Sequence, residues 1–373
     1  MRAHDRYPLA WLMVVLKRLR ARSKVGCILL ATAVTILFFR LFIQYYGGVS
    51  PKGSTPYIPD SPPLYAYLKP LIEKCGELCT VSGGDFEDSL FFKKRVVPVD
   101  CKAIYGEEVF ILRGHEQEAA PEEIPELYLS DYTLNGQIPI TKFYFDQKYL
   151  GDSGEKYFEV HAGGEKHFDQ KYFSPVWEKE VVEEMISLAN RGELTGNYWT
   201  EETNHLRNGL KIAKGVQNGR VLVIGSESPW VEATVLSVGA REVVTLEYGK
   251  IDSKHPSIKT MTPDEFRQTY LSGTLGFFDA IVTFSSVEHS GLGRYGDALN
   301  PWGDVLEIAR AHCVCKPGGS LVIAVMSEDG KDAIQFNAHR IYGDKRWPYL
   351  ASNWEQVHRE PDGGQLVYVF SRT

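Results

Sequence analysis

The apolar run Val221-Leu-Val-Ile-Gly225-Ser226-Glu227-Ser228 ends in a glycine turn. A second run, Val243-Val-Thr-Leu-Glu247, ends on an acid twenty-two positions after that glycine. In a doubly wound sheet a nucleotide-like ligand lies across such strand ends. The first turn approaches it through backbone, and the acid accepts a hydrogen bond from a ribose hydroxyl. Gly225, Ser226 and Glu247 are therefore candidate cofactor-binding residues. The stretch lacks the complete Gly-x-Gly-x-x-Gly set, which disfavours a cradled pyrophosphate. A ligand with a ribose and no phosphate, such as S-adenosylmethionine, suits it better. A plain βαβ unit that binds nothing has the same pattern.

A second group follows Phe277-Phe-Asp279-Ala-Ile-Val-Thr-Phe-Ser-Ser286, which reads as a buried strand ending in small polar residues. Ser285 stands at its end, and Glu288 and His289 come next. Strand ends of such sheets open into the ligand cleft. Histidine is the natural base near neutral pH, and a hydroxyl acceptor needs a base or a metal. His289 with Glu288 is thus the candidate catalytic pair, or a contribution to a divalent metal site. Local capping by Glu288 and structural packing of His289 are the alternatives. Asp264 follows a possible third strand, where an acid can receive an adenine amino group. Thr262-Pro263-Asp264-Glu265 also reads as a plain helix start with threonine as cap. Arg294 and Tyr295, in the Gly-rich loop 291–296, are placed to border an acceptor, as are His339, Arg340 and Tyr342. Trp230 reads as core filler.

The elements that must position these groups alternate. The spacing predicts a helix over Val305–His312, a tight turn at Lys316-Pro-Gly-Gly319 and a buried strand over Ser320–Val325. Strand–helix–turn–strand at this spacing is α/β and parallel. With its glycine turn, its strand-two acid, "FDAIV" followed by "EH", and "KPGG", the chain resembles the class I S-adenosylmethionine-dependent methyltransferases over roughly residues 215–373. It departs from them in having one glycine in the first turn. More narrowly, "SSVEHSGLGRYGD" from Ser285 to Asp297 is similar to the family called domain of unknown function 268. The resemblance implies a doubly wound, mostly parallel seven-stranded sheet with S-adenosylmethionine as cofactor. Gly225, Ser226, Glu247, Asp264 and Ser285 would hold that cofactor, and His289 and Glu288 would be catalytic.

Composition bounds the remainder. A length of 373 residues suggests two domains or one with a large extension, and 43% hydrophobic with 24% charged residues is ordinary for a globular chain. Residues 1–24 carry +6 of charge against a whole-chain −7, leaving a body of −13. An acidic body argues against nucleic acid as partner. The basic leader precedes an apolar stretch, 25–46, which reads as a single transmembrane signal anchor with Arg40 snorkelling and Tyr45 and Tyr46 in the interfacial belt. That order predicts a type II protein with its body in the lumen of the secretory pathway. A cleaved signal peptide is the rival. Residues 47–63 are a Pro/Gly linker, and 64–214 an α+β extension whose last helices lead into the core. One of these is expected to open at Ser174-Pro175, carry Val181, Met185, Ile186 and Leu188 on one side, and stop at Gly192. The other carries Leu206, Leu210 and Ala213 and ends at Gly215. With a lumenal body, a disulfide among Cys75, Cys79 and Cys101 is expected, and burial of Cys313 and Cys315 as small hydrophobes. The expected acceptor is a small molecule or a glycan.

Overall fold

The computed structural model describes residues 96, 98–106, 123–142, 145–150, 155–162, 165–172 and 176–372, apart from 296, 298 and 329. All of them fall in the second of the chain's two units, Ser61–Thr373. The leader, anchor and linker expected over 1–63, and Cys75 and Cys79, lie outside the described residues. Among the described residues no helix is long and apolar enough to cross a membrane.

The extension contributes helices α1 (Cys101–Gly106) and α2 (Glu126–Thr133). Its strand Ile140–Lys142 pairs in parallel with Ala333–Phe336, which pairs in turn with His339–Ile341. Val96, Ile104, Tyr128, Tyr132 and Ile138 share one apolar cluster with Leu292, Leu299, Trp302, Leu306 and Phe336. The extension therefore supports the segment that follows His289. The strands Phe145–Leu150, Glu155–Ala162 and Glu165–Tyr172, whose sequence shows no period, form a three-stranded antiparallel sheet that pairs with no other described strand.

Seven strands make the main sheet: β1 (Arg220–Ile224), β2 (Glu242–Leu246), β3 (Ile258–Met261), β4 (Phe278–Phe284), β5 (Cys315–Val325), β6 (Trp354–Arg359) and β7 (Leu366–Arg372). Their order is β6-β7-β5-β4-β1-β2-β3. β1 to β5 run parallel, and β7 is antiparallel to both its neighbours. This is the methyltransferase-like sheet that the resemblance implies. The order reverses between β1 and β4, and a crevice opens at such a switch point.

Helices cover both faces, which is why Val221–Ile224 of β1 and Ala280–Val282 of β4 are continuous apolar runs rather than alternating ones. On one face α3 (Lys179–Arg191), α4 (Thr200–Ile212) and α5 (Trp230–Ser237) pack Val182, Leu206, Leu210 and Val235 against Val221, Val223, Val282 and Val322. On the other, α6 (Pro263–Leu271) and α7 (Gly303–Val314) pack Phe266, Ile308 and Val314 against Leu222, Val244, Ile281 and Leu321. Each such burial contributes about 1.5–3 kcal/mol relative to exposure.

Several sequence expectations shift. The helix expected from Ser174 starts at Lys179, with Glu178 as its N-cap. Val176–Trp177 instead pairs with Asp252–Ser253, and Trp177 is buried. Val182 takes the core position and Val181 is 46% exposed. Gly192 ends the helix as expected, at φ +72°. α4 ends at Ile212, with Ala213 as its C-cap, ahead of the expected Gly215. Lys316-Pro-Gly-Gly319 is not a turn before β5 but a bulge within it. Phe278 pairs with Cys315 and Ala280 with Ser320, so the extra residues loop out, with Gly318 at φ +72°. The expected cysteine chemistry is also corrected. Cys313 is bonded to Cys101, 212 residues away, while Cys315 is free and buried as expected. The partner lay in an element the sequence did not reveal: α1 runs beside α7, and only that packing brings the two sulfurs together.

Candidate functional site

The carboxyl ends of β1, β2 and β4 border a cavity of about 480 Å³, within the size range of small-molecule sites. Of the sequence-predicted residues, Gly225, Ser226, Glu247, Ser285 and His289 line it, together with Arg294, Tyr295 and His339. Asp264 does not. It is exposed in the first turn of α6, where Thr262 and Glu265 form a capping box and Pro263 stands at the start. The helix-start alternative describes that segment.

One half of the cavity is built from two strand ends. Gly225 sits at φ +72°, and a Cβ there would lie 1.8 Å from Ser286 Oγ. Only glycine lets the first turn and the end of β4 approach this closely. The Ser226 amide donates to Glu247 Oε2 at 2.8 Å, and the Tyr248 amide donates to Oε1 at 2.7 Å. Glu247 is thereby held at the cavity wall.

Glu232, which the sequence reading passed over, underpins this turn. It is wholly buried on α5 and accepts from Ser226 Oγ at 3.0 Å and Thr245 Oγ1 at 2.8 Å. Burial pushes its carboxyl up to about 7, and these two hydroxyls partly offset that. An acid in the first turn of an otherwise apolar helix was the available signal. Ser285 holds φ +46°, rare for a residue with a side chain, and accepts from Gln365 Nε2 at 3.1 Å. Such strain gathers at functional sites.

The other half centres on His289, in the short 3-10 turn Val287–His289. Its Nδ1 lies 2.5 Å from the Ala338 carbonyl oxygen. A carbonyl only accepts, so Nδ1 carries the proton and Nε2 is the acceptor of a ring that lines the cavity. The ring meets Tyr295 edge-on at 5.5 Å and His339 at 6.2 Å. Arg294 Nη1 also donates to the Ala338 carbonyl, at 3.3 Å. Burial, and then the Arg294 charge, hold His289 well below the usual imidazole range, and the same causes bring His339 down to about 4. Both rings are neutral at physiological pH.

Glu288 is placed differently from His289. It is fully buried behind the cavity, and neither carboxylate oxygen has a well-formed hydrogen-bond partner. Burial pushes it up to about 7, offset in part by Ser285, Arg294 and Gln365. The structure does not bring Glu288 and His289 together with a third metal-ligating group among the described residues. The group of three that does lie close is Glu201, His205 and Asp362, at the surface.

Beneath the His289 half, Arg346 forms a two-pronged pair with Asp304, at 2.7 and 2.6 Å. Arg340 donates to the Ser290 carbonyl at 2.6 Å. The expected acceptor contacts Arg340 and Tyr342 are thus buried supports. Tyr342 donates to Asp304 at 3.0 Å. Tyr105 of α1 also reaches the cavity wall. Its hydroxyl bonds the Arg310 carbonyl, and its ring stacks on Tyr270 at 3.8 Å.

Residues 218–362 match the model of the family described as "Caenorhabditis protein of unknown function, DUF268". That match spans the Gly225 turn, His289 and the loop after it. No curated protein matches the chain. Among solved structures, the chain is 16% identical to Burkholderia thailandensis 1,6-didemethyltoxoflavin-N1-methyltransferase, covering 61% of this chain and 99% of that one at a TM-score of 0.34. It is 15% identical to the N-methyltransferase NodS from Bradyrhizobium japonicum WM9, covering 46% and 94% at a TM-score of 0.33. It is 15% identical to the ribosomal protein L11 methylase from Lactobacillus delbrueckii subsp. bulgaricus, covering 47% and 79% at 0.31. At such low scores these likenesses carry no argument. The fold assignment rests on the strand order itself.

Proposed function

We propose that the chain is an S-adenosylmethionine-dependent methyltransferase acting on an oxygen acceptor, a hydroxyl in preference to a carboxyl. The observation that carries the choice is His289: a neutral imidazole with Nδ1–H committed to Ala338 and Nε2 left to accept a proton. A carboxylate acceptor brings no proton to remove, whereas a hydroxyl does. Gly225, Ser226 and Glu247 would hold the cofactor's ribose, with Ser285 at the rim. When bound, that cofactor supplies an electrophilic methyl group on a sulfonium. The chain's own work is to orient the acceptor oxygen, exclude water and take the hydroxyl proton onto Nε2, with positioning supplying a large part of the acceleration. Titrating the protein with S-adenosylmethionine in a calorimeter tests this. Glu247→Gln is expected to weaken binding tenfold to a hundredfold, since a hydrogen bond to a charged group is worth about 1.5–3 kcal/mol. No heat from the unmutated protein at millimolar cofactor leaves an inert fold of this type, serving as a binding or scaffold module.

We further propose that residues 25–46 anchor the protein and that its body lies in the lumen of the secretory pathway, where the acceptor is a glycan or a small molecule. The Cys101–Cys313 bond supports an oxidising compartment. Peptide mapping of protein isolated from cells without reductant is expected to recover these two cysteines linked. Recovery of both as free thiols would place the body in a reducing compartment and sink this localisation.

A further inference from the structure

The loop after His289 is rich in glycine, and the chemistry above uses only its Arg294 and Tyr295. Its end, Asp297, is buried at 5% exposure. Asp297 Oδ2 accepts from the Gly291 amide at 2.6 Å and the Gly293 amide at 3.3 Å, and Oδ1 accepts from the Tyr295 amide at 3.2 Å. Gly291 and Gly293 hold φ +78° and +75°, which turns their amides inward onto one carboxylate. A Cβ on Gly291 would lie 2.1 Å from the Asn300 carbonyl oxygen. The Gly291 carbonyl accepts from the Asn300 amide at 2.8 Å and from Tyr132 of the extension at 2.5 Å. The loop is thus closed on itself around Asp297 and fastened to α2.

We propose that Asp297 is the positioning residue of the acceptor half: by gathering the Gly291, Gly293 and Tyr295 amides it fixes Arg294 and Tyr295 against the His289 ring. Buried carboxylates are costly unless hydrogen-bonded, and these amides supply that compensation. Burial drives the Asp297 carboxyl up, and the amides offset that only in part. Arg294 in turn lies with its guanidinium 5.2 Å from the Tyr295 ring and bears on both histidines. A loop released from Asp297 lets Arg294 move into solvent and water reach His289. The groups that face His289 are Arg294 and Tyr295 from its own segment and His339 and Arg340 from the strand Ala338 leads into. Asp297 touches none of the reacting atoms and acts through this set. Its use in catalysis rests on the methyl-transfer reading, but the clamp itself is testable without cofactor or acceptor.

Two measurements on the full protein test it. Hydrogen exchange at the Gly291, Gly293 and Tyr295 amides is expected to rise at least tenfold in Asp297→Asn, whose amide nitrogen cannot accept, while β4 and α7 amides stay protected. In the same variant, NMR of carbon-labelled histidine rings, with His289 assigned through His289→Gln, is expected to show the His289 titration moving up toward the ordinary 6.5. Arg294→Ala is expected to move the titration the same way while leaving the three amides protected, because the clamp persists. A variant with general loss of protection is replaced by Asp297→Glu, which keeps the charge and is expected to fall between the two. Unchanged exchange and unchanged His289 titration in a folded Asp297→Asn overturn the proposal. Failure of the unmutated protein to bind S-adenosylmethionine would sink the methyl-transfer reading and leave these results standing.

Discussion

Gly225→Ala is expected to lower S-adenosylmethionine affinity a hundredfold or more. At φ +72° an added Cβ is strained, and it would sit 1.8 Å from Ser286 Oγ and 2.5 Å from Ser286 Cβ. The left-handed conformation costs an L-residue about 1–2 kcal/mol, and overpacking a tight site typically about 1–3 kcal/mol. Relief requires Ser286 to shift, and Ser286 starts the turn that carries Glu288 and His289. The carboxylate of Glu247 is held by the amide of the very next residue, Ser226, so moving the turn also moves the ribose acceptor. A loss of about 2.8 kcal/mol is a hundredfold in affinity. Gly273→Ala is the control. It has φ +73° with nothing within 4 Å of its Cβ, so it carries the conformational cost without the clash. Calorimetry with both variants separates the terms. Native affinity in a folded Gly225→Ala would show that the first turn does not contact the cofactor, whatever the fold suggests.

His289→Gln is expected to lower turnover by about a hundred to ten thousandfold, the usual loss on removing a general base, with cofactor affinity changed little because Gly225 and Glu247 carry that contact. Transfer of a labelled methyl group into fractionated glycan and small-molecule extracts reads it. Because burial and Arg294 hold the ring well below 6.5, the base stays unprotonated across the neutral range. The His289-dependent rate should therefore stay flat from pH 8 down through pH 6.5. The sign for stability follows from the same direction. An unfolded His289 takes up a proton below about 6.5, whereas the folded one does not. The folded state therefore loses stability as pH falls through 6.5, and His289→Gln removes that loss. A variant that melts early yet keeps normal specific activity would make His289 a packing residue and end the catalytic assignment.

The sheet was legible in the sequence because a strand buried on both faces is largely apolar rather than alternating, and Val221–Ile224, Val243–Leu246 and Ala280–Phe284, broken only by Thr245 and Thr283, announce themselves by that. That Gly225, Ser226, Glu247, Ser285 and His289 line one cavity follows for a related reason: their places are set by where a parallel strand ends, which is local information. The tertiary structure decided what depends on packing between distant segments. Asp264 had two readings of equal local merit, and the position of α6 relative to the cavity separated them. Glu288 and His289 are neighbours in sequence, yet a single 3-10 turn sends one to the cavity wall and buries the other behind it. Cys101 with Cys313, and Tyr132 with Gly291, join elements more than a hundred and fifty residues apart, and no periodicity encodes such a contact. Hydrophobic patterning reports how much of a residue is buried, not against what. The acceptor half of this site is made almost entirely of the second kind of information.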